Sequence, residues 1–211
     1  MRLYSYWRSS AAYRVRIALH WKRLPFETVT TNLGQGEQRG ADFLAVNPQG
    51  LVPALDDGGQ VVAQSLAILE YLDETHPEPP LLPRDPADRA RVRSMALAIA
   101  CDIHPLNNLR VLNYLKGPLA QPRPAVDAWY AHWVGEGFRG LERLARRHGD
   151  GAHLHGSSVT LADVCLVPQL YNARRFEVDL TPFPTLVAIG RALEALPAFA
   201  AARPDAQPDA A

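Results

Sequence analysis

The residues best suited to chemistry stand near the start of the chain, where Arg8, Ser9 and Ser10 lie between a predicted strand and a predicted helix. Serine is a favoured helix N-cap, so capping alone accounts for the hydroxyls. The same position also favours anions, because free backbone N–H groups and the helix dipole attract negative charge. A hydroxyl of Ser9 that donated to a bound thiolate would make that thiol ionise more readily. Taken alone, the motif permits either a structural cap or an anion site.

Two further motifs offer groups that could bind a peptide-like ligand. Pro53 opens a predicted strand, where proline costs a hydrogen bond of the ladder, and a cis peptide bond between Val52 and Pro53 would suit a tight turn. Such a turn leaves the N–H and C=O of Val52 available to a ligand. Gln64 and Ser65 stand at a predicted helix start, where an amide, a hydroxyl and backbone donors suit a carboxylate.

The first 80 residues alternate strand and helix patterns. The predicted order is strand 2–7, helix 11–21, strand 27–31, short helix 41–45, a hairpin formed by 52–55 and 60–62 around the turn 56–59, and a helix 66–73 with Ser65 as its N-cap. A βαβ unit followed by a helix, a hairpin and a closing helix predicts a thioredoxin-like α/β domain.

A proline-rich stretch separates this unit from a helical half. Five prolines within residues 77–86 cannot continue a helix. The predicted organisation is therefore a domain over residues 1–80, a linker over 81–87 and an all-helical domain over 88–211. Predicted helices in the second domain cover 87–116, 127–148, a run opened by the capping box Thr160–Asp163, and 185–202, and the polar tail 203–211 is predicted to lie loosely on the surface.

The helical half carries its own candidate polar residues. On the predicted helix 87–116, His104, Asn107 and Asn108 follow an i, i+3, i+4 spacing and so share one face. Arg110 lies within about 60° of Asn107 on a helical wheel. Arginine forks bind carboxylates with two hydrogen bonds, so such residues suit an acidic small molecule.

Composition excludes several classes of function. Twenty-two basic residues balance 22 acidic ones in a chain of 211, which argues against a nucleic-acid or anionic-membrane binder. Cys101 and Cys165 form no disulfide framework or CxxC motif, and no apolar run approaches the length of a membrane span, so we expect a cytoplasmic protein. His153 and His155 lack the partner ligands of a metal site, and we predict no metal.

Together these motifs resemble the glutathione S-transferase superfamily, and its zeta class in particular. In the first half the resemblance rests on residues 4–10, 14–19, 47–48, 51–53, 64–68 and 70–72. In the second half it rests on residues 102–108, 160–163, 166–169, 175–182 and 207–209. It therefore covers nearly the whole chain in order, and it implies a thioredoxin-like α/β domain joined to an all-α domain.

The resemblance also implies glutathione as cofactor. It places the thiol at Ser9 with Ser10 beside it, the cysteinyl backbone at Val52 and the γ-glutamyl carboxylate at Gln64 and Ser65. Further candidates, for the glycine end, are Gln38, Gln49, His104 and Asn108. The family carries Ser-Ser-Cys at this turn, whereas Ala11 stands here in place of the cysteine.

The activity implied by the resemblance is a cis–trans isomerisation of maleylacetoacetate to fumarylacetoacetate by reversible addition of the glutathione thiolate. The substrate is a dicarboxylate, for which Arg8, Arg110 and Arg175 are the candidate contacts. Arg14 and Arg16 belong to the motif and are expected to pair with acidic groups or to support the turn. The family also implies a homodimer.

Three alternatives remain open at this point. A maleylpyruvate isomerase of gentisate catabolism would act on a similar cis enone dicarboxylate, and sequence patterns separate the two poorly. A zeta-class transferase conjugating haloacids would use the same thiolate but release a conjugate. A binding or regulatory protein of the same fold would need no hydroxyl at Ser9.

Overall fold

The computed structural model describes residues 1–210. The chain divides into two compact units, one formed by residues 1–81 together with 195–211 and the other by residues 82–194. The strands are β1 (Arg2–Ser5), β2 (Glu27–Thr30), β3 (Ala54–Asp57) and β4 (Gln60–Ala63). The helices are α1 (Ser10–Trp21), α2 (Ala41–Val46), α3 (Ser65–Thr75), α4 (Pro86–Leu97), α5 (Leu109–Lys116), α6 (Arg123–His148), α7 (Leu161–Arg175), α8 (Pro184–Glu194) and α9 (Pro197–Ala201).

The first unit is built on a four-stranded mixed sheet in the order β2-β1-β3-β4. Strand β1 pairs in parallel with β2 and antiparallel with β3, and β4 pairs antiparallel with β3. The βαβ crossover needs a connecting helix, which α1 provides, whereas the two-residue turn at Gly58 and Gly59 is enough for the antiparallel pair. The predicted thioredoxin-like arrangement is confirmed.

Aliphatic and aromatic side chains of the sheet and of the helices on it form the core of the first unit. Leu3 of β1 lies opposite Leu55 of β3, and both are fully buried. Helix α1 packs against α3 and α9, and its buried positions extend from Ser10 to Leu19. A helix buried on nearly every side must place its few polar residues where partners exist, which makes Arg14 and Arg16 of α1 conspicuous.

The second unit consists of helices. Helix α7 packs against α4 and α8, and α6 packs against α8. The predicted capping box is confirmed, since the Thr160 side chain accepts from the backbone N–H of Asp163 and the Asp163 carboxylate accepts from the N–H of Thr160. Within residues 1–210 no helix combines the length and the apolar character that crossing a bilayer requires.

The predicted continuous helix over residues 87–116 is wrong. Helix α4 ends at Leu97, a π-helical segment covers Ala98–Ile103, a 3₁₀ turn covers Pro105–Asn107, and α5 begins at Leu109. Pro105 lacks an N–H and clashes with the carbonyl four residues before it, so an α-helix cannot run through it undisturbed.

The predicted helix over residues 185–202 is likewise two helices, α8 and α9. Leu196 precedes Pro197 and takes an extended conformation, which interrupts the helix because a residue before proline avoids the α region. Beyond this break the chain belongs to the first unit, where Phe199 is fully buried and its carbonyl accepts from the hydroxyl of Tyr13 at 3.4 Å. The sequence did not indicate this grouping, and the predicted domain boundaries stay predictions.

Candidate active site in the first unit

A tight turn carries Ser9 to the start of α1. The backbone N–H of Ser9 donates to the carbonyl of Tyr6 at 2.9 Å, and Ser9 then serves as the N-cap of α1. Its Oγ accepts from the N–H of Ala12 at 3.2 Å. That bond uses one lone pair of the hydroxyl, so the O–H proton can still donate to a ligand. Capping and ligand binding are therefore compatible in this one side chain.

Ser10 and Ala11 differ from Ser9 in their exposure. Ser10 is the first residue of α1 and is buried, as is Ala11, whereas Ser9 is half-buried. Of the two predicted catalytic serines, Ser9 therefore presents the more accessible hydroxyl at the N-terminus of α1. The helix dipole adds partial positive charge at this end, which favours a thiolate beside it.

Arg8 lies exposed on the same turn. Its Nη2 donates to the hydroxyl of Tyr6 at 3.1 Å, and its guanidinium carbon lies 4.7 Å from the centre of the Trp7 ring. These contacts orient the planar guanidinium, which has five N–H donors in total. Arg8 can therefore offer further donors to an anion beside Ser9.

The start of α3 has an unusual backbone. Gln64, and not the predicted Ser65, is the N-cap, and Ser65 is the first residue of the helix. Gln64 has a φ of 71°, a conformation that costs a non-glycine residue free energy and that is found most often at functional sites. Its side-chain amide donates to Oε1 of Gln49 at 2.7 Å, which brings two of the predicted ligand contacts together.

Ser65 is buried and is linked to α1. Its Oγ accepts from Nη1 of Arg14 at 3.1 Å, and Arg14 is itself almost fully buried. A hydroxyl that accepts from a guanidinium must direct its own proton elsewhere, so Ser65 is prepared to donate. Because the N-terminus of α3 adds its own free N–H groups, the charge at this end favours a carboxylate.

The Val52–Pro53 peptide bond is cis, as predicted. Val52 is buried and lies two residues before β3 begins, outside the paired register of the sheet. Its N–H and C=O therefore take no part in the hydrogen-bonded ladder of the sheet.

Gln38 lies on a 3₁₀ turn against the segment that carries Gln49. A Cβ built on Gly50 would be 3.2 Å from the carbonyl oxygen of Gln38, which shows how closely the two segments approach. The Oε1 atom of Gln38 is buried and has no hydrogen-bond partner in the part of the chain that the structure describes. A buried acceptor without a donor is costly, so this atom is a good candidate for a ligand contact.

In the second unit the structure changes the roles of the predicted polar stripe. Asn107 donates to the carbonyl of Tyr130 at 3.3 Å, and Asn108 caps α5 by accepting from the N–H of Arg110 at 3.1 Å. The helical-wheel relation between Asn107 and Arg110 is wrong, because the helix is broken between them. His104 and Asn108 still lie close, with 3.5 Å between Nε2 and Nδ2, and Arg110 is exposed.

Arg175 ends α7 beside a pair of aromatic rings. Its guanidinium carbon lies 5.0 Å from the centre of the Phe176 ring, which stacks on Tyr130 at 3.9 Å. Burial raises the pKa of Tyr130 and the charge of Arg175 opposes that shift, so the phenol stays neutral. The neighbouring Arg174 forms an ion pair with Glu194, so Arg175 is the better ligand candidate of the two.

Arg14 and Arg16 were expected either to pair with acidic groups or to support the turn. Arg16 does support the turn, whereas Arg14 donates to Oγ of Ser65 at the start of α3. Arg16 is fully buried and donates to the carbonyls of Tyr6 and Trp7 at 3.5 and 3.0 Å. Asp209 was not predicted as a site residue, yet its Oδ2 accepts from the N–H of Trp7 at 3.0 Å. The sequence signal for this structural role is the pair Arg14 and Arg16, which stand two residues apart on an otherwise apolar helix.

The two cysteines lie in different environments. Cys101 is exposed and Cys165 is buried, and neither forms a disulfide bond within residues 1–210. Among residues 1–210 no group of three or more His, Cys, Asp or Glu side chains could hold a metal ion.

Two family models match the chain. The N-terminal domain of glutathione S-transferase matches residues 8–75, and the C-terminal domain of glutathione S-transferase matches residues 108–202. Among curated relatives, a "Probable maleylacetoacetate isomerase" of Vibrio cholerae is 52% identical over 99% of this chain and 97% of its own length. A "Maleylpyruvate isomerase" of Ralstonia sp. is 48% identical over the full length of both chains.

Solved structures agree with these relatives. A maleylpyruvate isomerase described as a bacterial zeta-class glutathione S-transferase has a TM-score of 0.98 at 47% identity, with complete coverage of both chains. A maleylacetoacetate isomerase of Methylobacterium extorquens, with bound malonate and glutathione, has a TM-score of 0.96 at 43% identity and also covers both chains completely.

A third structure is a maleylacetoacetate isomerase of Anaeromyxobacter dehalogenans that holds dicarboxyethyl glutathione and citrate in its active site. Its TM-score is 0.88 at 44% identity, and the match covers all of this chain and 97% of that one. With family models on both halves and relatives of this identity along its length, the chain belongs to the zeta class of the glutathione S-transferase family.

Proposed function

We propose that this protein is a glutathione-dependent isomerase that converts maleylacetoacetate to fumarylacetoacetate. The observation that carries the proposal is the relation to the maleylacetoacetate isomerase of Vibrio cholerae, which is 52% identical over nearly the whole of both chains. The maleylacetoacetate isomerase of Anaeromyxobacter dehalogenans, which holds dicarboxyethyl glutathione, supports a site for glutathione and a dicarboxylate together.

The residues of the first unit fit glutathione. Gln38 offers a buried oxygen that lacks a donor within the described chain, and the N-terminus of α3 offers Gln64 and Ser65. Bound glutathione supplies a thiolate, which adds reversibly to the cis double bond conjugated to a ketone and so permits rotation before it leaves. The protein must therefore hold a thiolate, bind two carboxylates and orient them.

Ser9 has the central role in this proposal. Its hydroxyl donates to the thiolate while its oxygen continues to cap α1. Both the hydrogen bond and the dipole of α1 favour the charged form of the thiol, which lowers its pKa. Ser10 is buried as the first residue of α1, and Ala11 stands in place of the family cysteine. A reaction that proceeds by thiolate addition needs no protein nucleophile at that position.

The remaining proposed contacts of glutathione rest on the family resemblance, and the first unit offers suitable groups for them. Val52 pairs its backbone with the cysteinyl residue, in the manner of an added strand. Gln64 and Ser65 hold the γ-glutamyl carboxylate, for which Arg14 provides a buried positive charge behind Ser65. Gln49 holds the side chain of Gln64 in place.

The substrate carboxylates require cations. Arg8 is exposed beside Ser9, and Arg110 and Arg175 are exposed on α5 and α7, so these three are the proposed contacts. His104 and Asn108 remain candidates for the glycine end of glutathione, although Asn108 also caps α5. The location in the cytoplasm and the homodimer follow from the family resemblance and stay predictions.

A second candidate function is maleylpyruvate isomerisation. The Ralstonia relative of that name is 48% identical over both full chains, so the same architecture serves both substrates. Conjugation of haloacids is the third possibility, and it differs in consuming glutathione rather than returning it.

A direct rate comparison tests these assignments. Purified protein is given maleylacetoacetate or maleylpyruvate, with and without glutathione, and both the trans product and the free thiol are measured. We expect a higher kcat/KM for maleylacetoacetate, an absolute requirement for glutathione and no loss of thiol. A higher kcat/KM for maleylpyruvate would favour the second candidate, and loss of thiol would favour conjugation. Absence of turnover with both substrates would contradict both isomerase assignments.

A further inference from the structure

The backbone of Trp7 is held at both of its polar groups, which belong to the two peptide planes that meet at its Cα. Its N–H donates to Oδ2 of Asp209 at 3.0 Å, and its carbonyl accepts from Nη2 of Arg16 at 3.0 Å. Trp7 immediately precedes Arg8 and Ser9. Ser9 is proposed to contact the thiolate and Arg8 a substrate carboxylate. Both therefore directly follow a residue whose backbone N–H and C=O are fixed by hydrogen bonds.

Arg16 is in turn fixed by the same C-terminal segment. Its Nε donates to the carbonyl of Ala202 at 3.0 Å, and its Nη1 donates to Oγ of Ser5 at 3.0 Å. The segment itself is anchored, because Phe199 is fully buried and the Gln207 amide donates to the carbonyl of Arg203 at 2.8 Å. The two hydrogen bonds that hold the Trp7 backbone, one to Asp209 and one from Arg16, thus both depend on residues 195–210.

We propose that the C-terminal segment is a working part of the thiolate site and that Asp209 is a positioning residue, which sets the Trp7 peptide and through it the hydroxyl of Ser9. The proposal rests on the proposed function, since it concerns the same bound thiol. The N–H of Ser9 closes the turn on the carbonyl of Tyr6 at 2.9 Å, so a shift of Trp7 is transmitted directly to the cap of α1.

Asp209 acts through geometry rather than through its charge. A negative charge near a thiolate would raise the pKa of the thiol, so the carboxylate itself opposes ionisation. What it supplies is an acceptor for the Trp7 N–H. Hydroxyl placement matters because a hydrogen bond weakens steeply with misalignment, and a displacement of about 1 Å can cost on the order of a hundredfold in rate.

The experiment compares Asp209→Ala, Asp209→Asn and the control Asp205→Asn in the full-length protein. Asp205 lies in the same segment and only pairs with Arg203 on the surface. The first readout is amide hydrogen exchange of Trp7 in the absence of glutathione, and the second is the pKa of the bound glutathione thiol, followed by thiolate absorbance. The third is kcat for the isomerisation.

In Asp209→Ala we expect exchange of the Trp7 amide to be about tenfold faster, the pKa of the bound thiol to rise by about one unit and kcat to fall about tenfold. Because Asp209→Asn keeps an acceptor oxygen, we expect its Trp7 exchange rate and its kcat to stay within about threefold of the wild-type values. We expect the same of Asp205→Asn.

Several results would overturn the proposal. One is a wild-type thiol pKa and exchange rate in Asp209→Ala, and another is an equal effect in Asp205→Asn. A lowered thiol pKa in both Asp209 variants would show that charge, not geometry, is what the residue supplies. If Asp209→Ala does not fold, the Trp7 amide of the wild type still decides, because exchange as fast as that of exposed loop amides would show that Asp209 does not hold this N–H. If wild-type protein has no isomerase activity, the proposed function fails while the exchange and titration readouts still test Asp209.

Discussion

The hydroxyl of Ser9 does two things that the sequence presents as alternatives. Its oxygen caps α1 by accepting from the N–H of Ala12, and its proton remains able to donate. Helix capping and anion binding would exclude each other only if a hydroxyl could make no more than one hydrogen bond. Ser10, equally suited by residue type, is buried as the first residue of the helix, and that difference is visible only in the structure.

Replacing Ser9 by alanine is expected to lower kcat for the isomerisation by about 10- to 100-fold, because a hydrogen bond to a charged partner is lost. The same change removes the cap and lowers the free energy of unfolding by about 1 kcal/mol. Turnover and thermal unfolding of Ser9→Ala are measured beside Ser157→Ala, which alters an exposed loop serine. Wild-type kcat in Ser9→Ala would rule out the proposed role.

Among the 20 arginines, residue type alone cannot separate ligands from structural groups. The structure assigns Arg16 to the backbone of the turn, Arg14 to Ser65 and Arg174 to an ion pair with Glu194. Arg8 and Arg175 lie exposed over aromatic rings, which orient a guanidinium without neutralising it. Their neighbours thus leave these two side chains suited to carboxylates.

At the scale of elements, the N-terminus of α7 depends on one buried carboxylate. Asp163 is fully buried and accepts from the N–H groups of Leu154 and Thr160, both at 2.8 Å, and from the Thr160 hydroxyl at 2.9 Å. The capping box was predicted from four residues of sequence. The hydrogen bond from the N–H of Leu154, which links a loop to the helix, could be identified only from the folded structure.

Asp163→Asn is expected to lower the free energy of unfolding by about 3 kcal/mol at pH 7, because the amide turns a donor group toward donors that need an acceptor. Chemical denaturation measures the effect. Asp127→Asn, which affects only an exposed ion pair on α6, is the control and should change the free energy by less than about 1 kcal/mol. A small effect at Asp163 would mean that the loop and helix are held by other contacts.

The contribution of Asp163 to the free energy of unfolding changes with pH in a defined direction. Burial raises the pKa of Asp163 to about 6 in the folded protein, against about 3.9 in an unfolded chain. A raised folded pKa contributes stability that is present below pH 4 and is lost as the pH rises through 6. The difference in unfolding free energy between wild type and Asp163→Asn should therefore be about 2 kcal/mol larger at pH 4.5 than at pH 7. A difference that does not vary with pH would show that the pKa of this carboxyl is not raised.

Helix boundaries in the second unit show where local patterns fail. Periodicity over residues 87–116 predicted one helix, yet α4 gives way to π-helical and 3₁₀ turns before α5. Pro105 was visible in the sequence, but the position at which a long helix yields around a proline depends on packing. Ile103 is fully buried, and a Cβ on Gly137 of α6 would lie 2.2 Å from its side chain. The irregular segment therefore lies in close contact with α6.

On the scale of the whole molecule, a net charge of zero and a specific anion site are compatible. Balanced charge excludes broad recognition of polyanions, whereas a small dianion needs only a few cations in the right places. Residues 195–210, which follow the helical unit in the chain, belong to the first unit. Ligand binding to that unit should therefore stabilise both ends of the chain.

Glutathione at about 100 times its dissociation constant is expected to stabilise the folded protein by about 2.7 kcal/mol, which raises the unfolding midpoint by about 5 to 10 °C. S-methylglutathione retains the carboxylates and peptide groups, so it should produce a similar shift. Thermal unfolding with and without each ligand tests this, with glycine at equal concentration as the control. No shift with either tripeptide would contradict glutathione binding by the backbone and carboxylate contacts.

The sequence by itself determined the two-part architecture, the order of strands and helices in the first unit, and the three motifs at Ser9, Val52 and Gln64. These depend on local chemistry: capping, proline geometry and side-chain periodicity act over a few residues. Tertiary structure alone decided that Gln64 is the N-cap of α3 with a positive φ, that Arg14 donates to Ser65 and Arg16 to the Trp7 carbonyl, and that Asp209 accepts from the N–H of Trp7. Asp209 lies 202 residues after Trp7, and no local pattern predicts which distant acceptor will satisfy a given backbone N–H, because folding alone brings the two together.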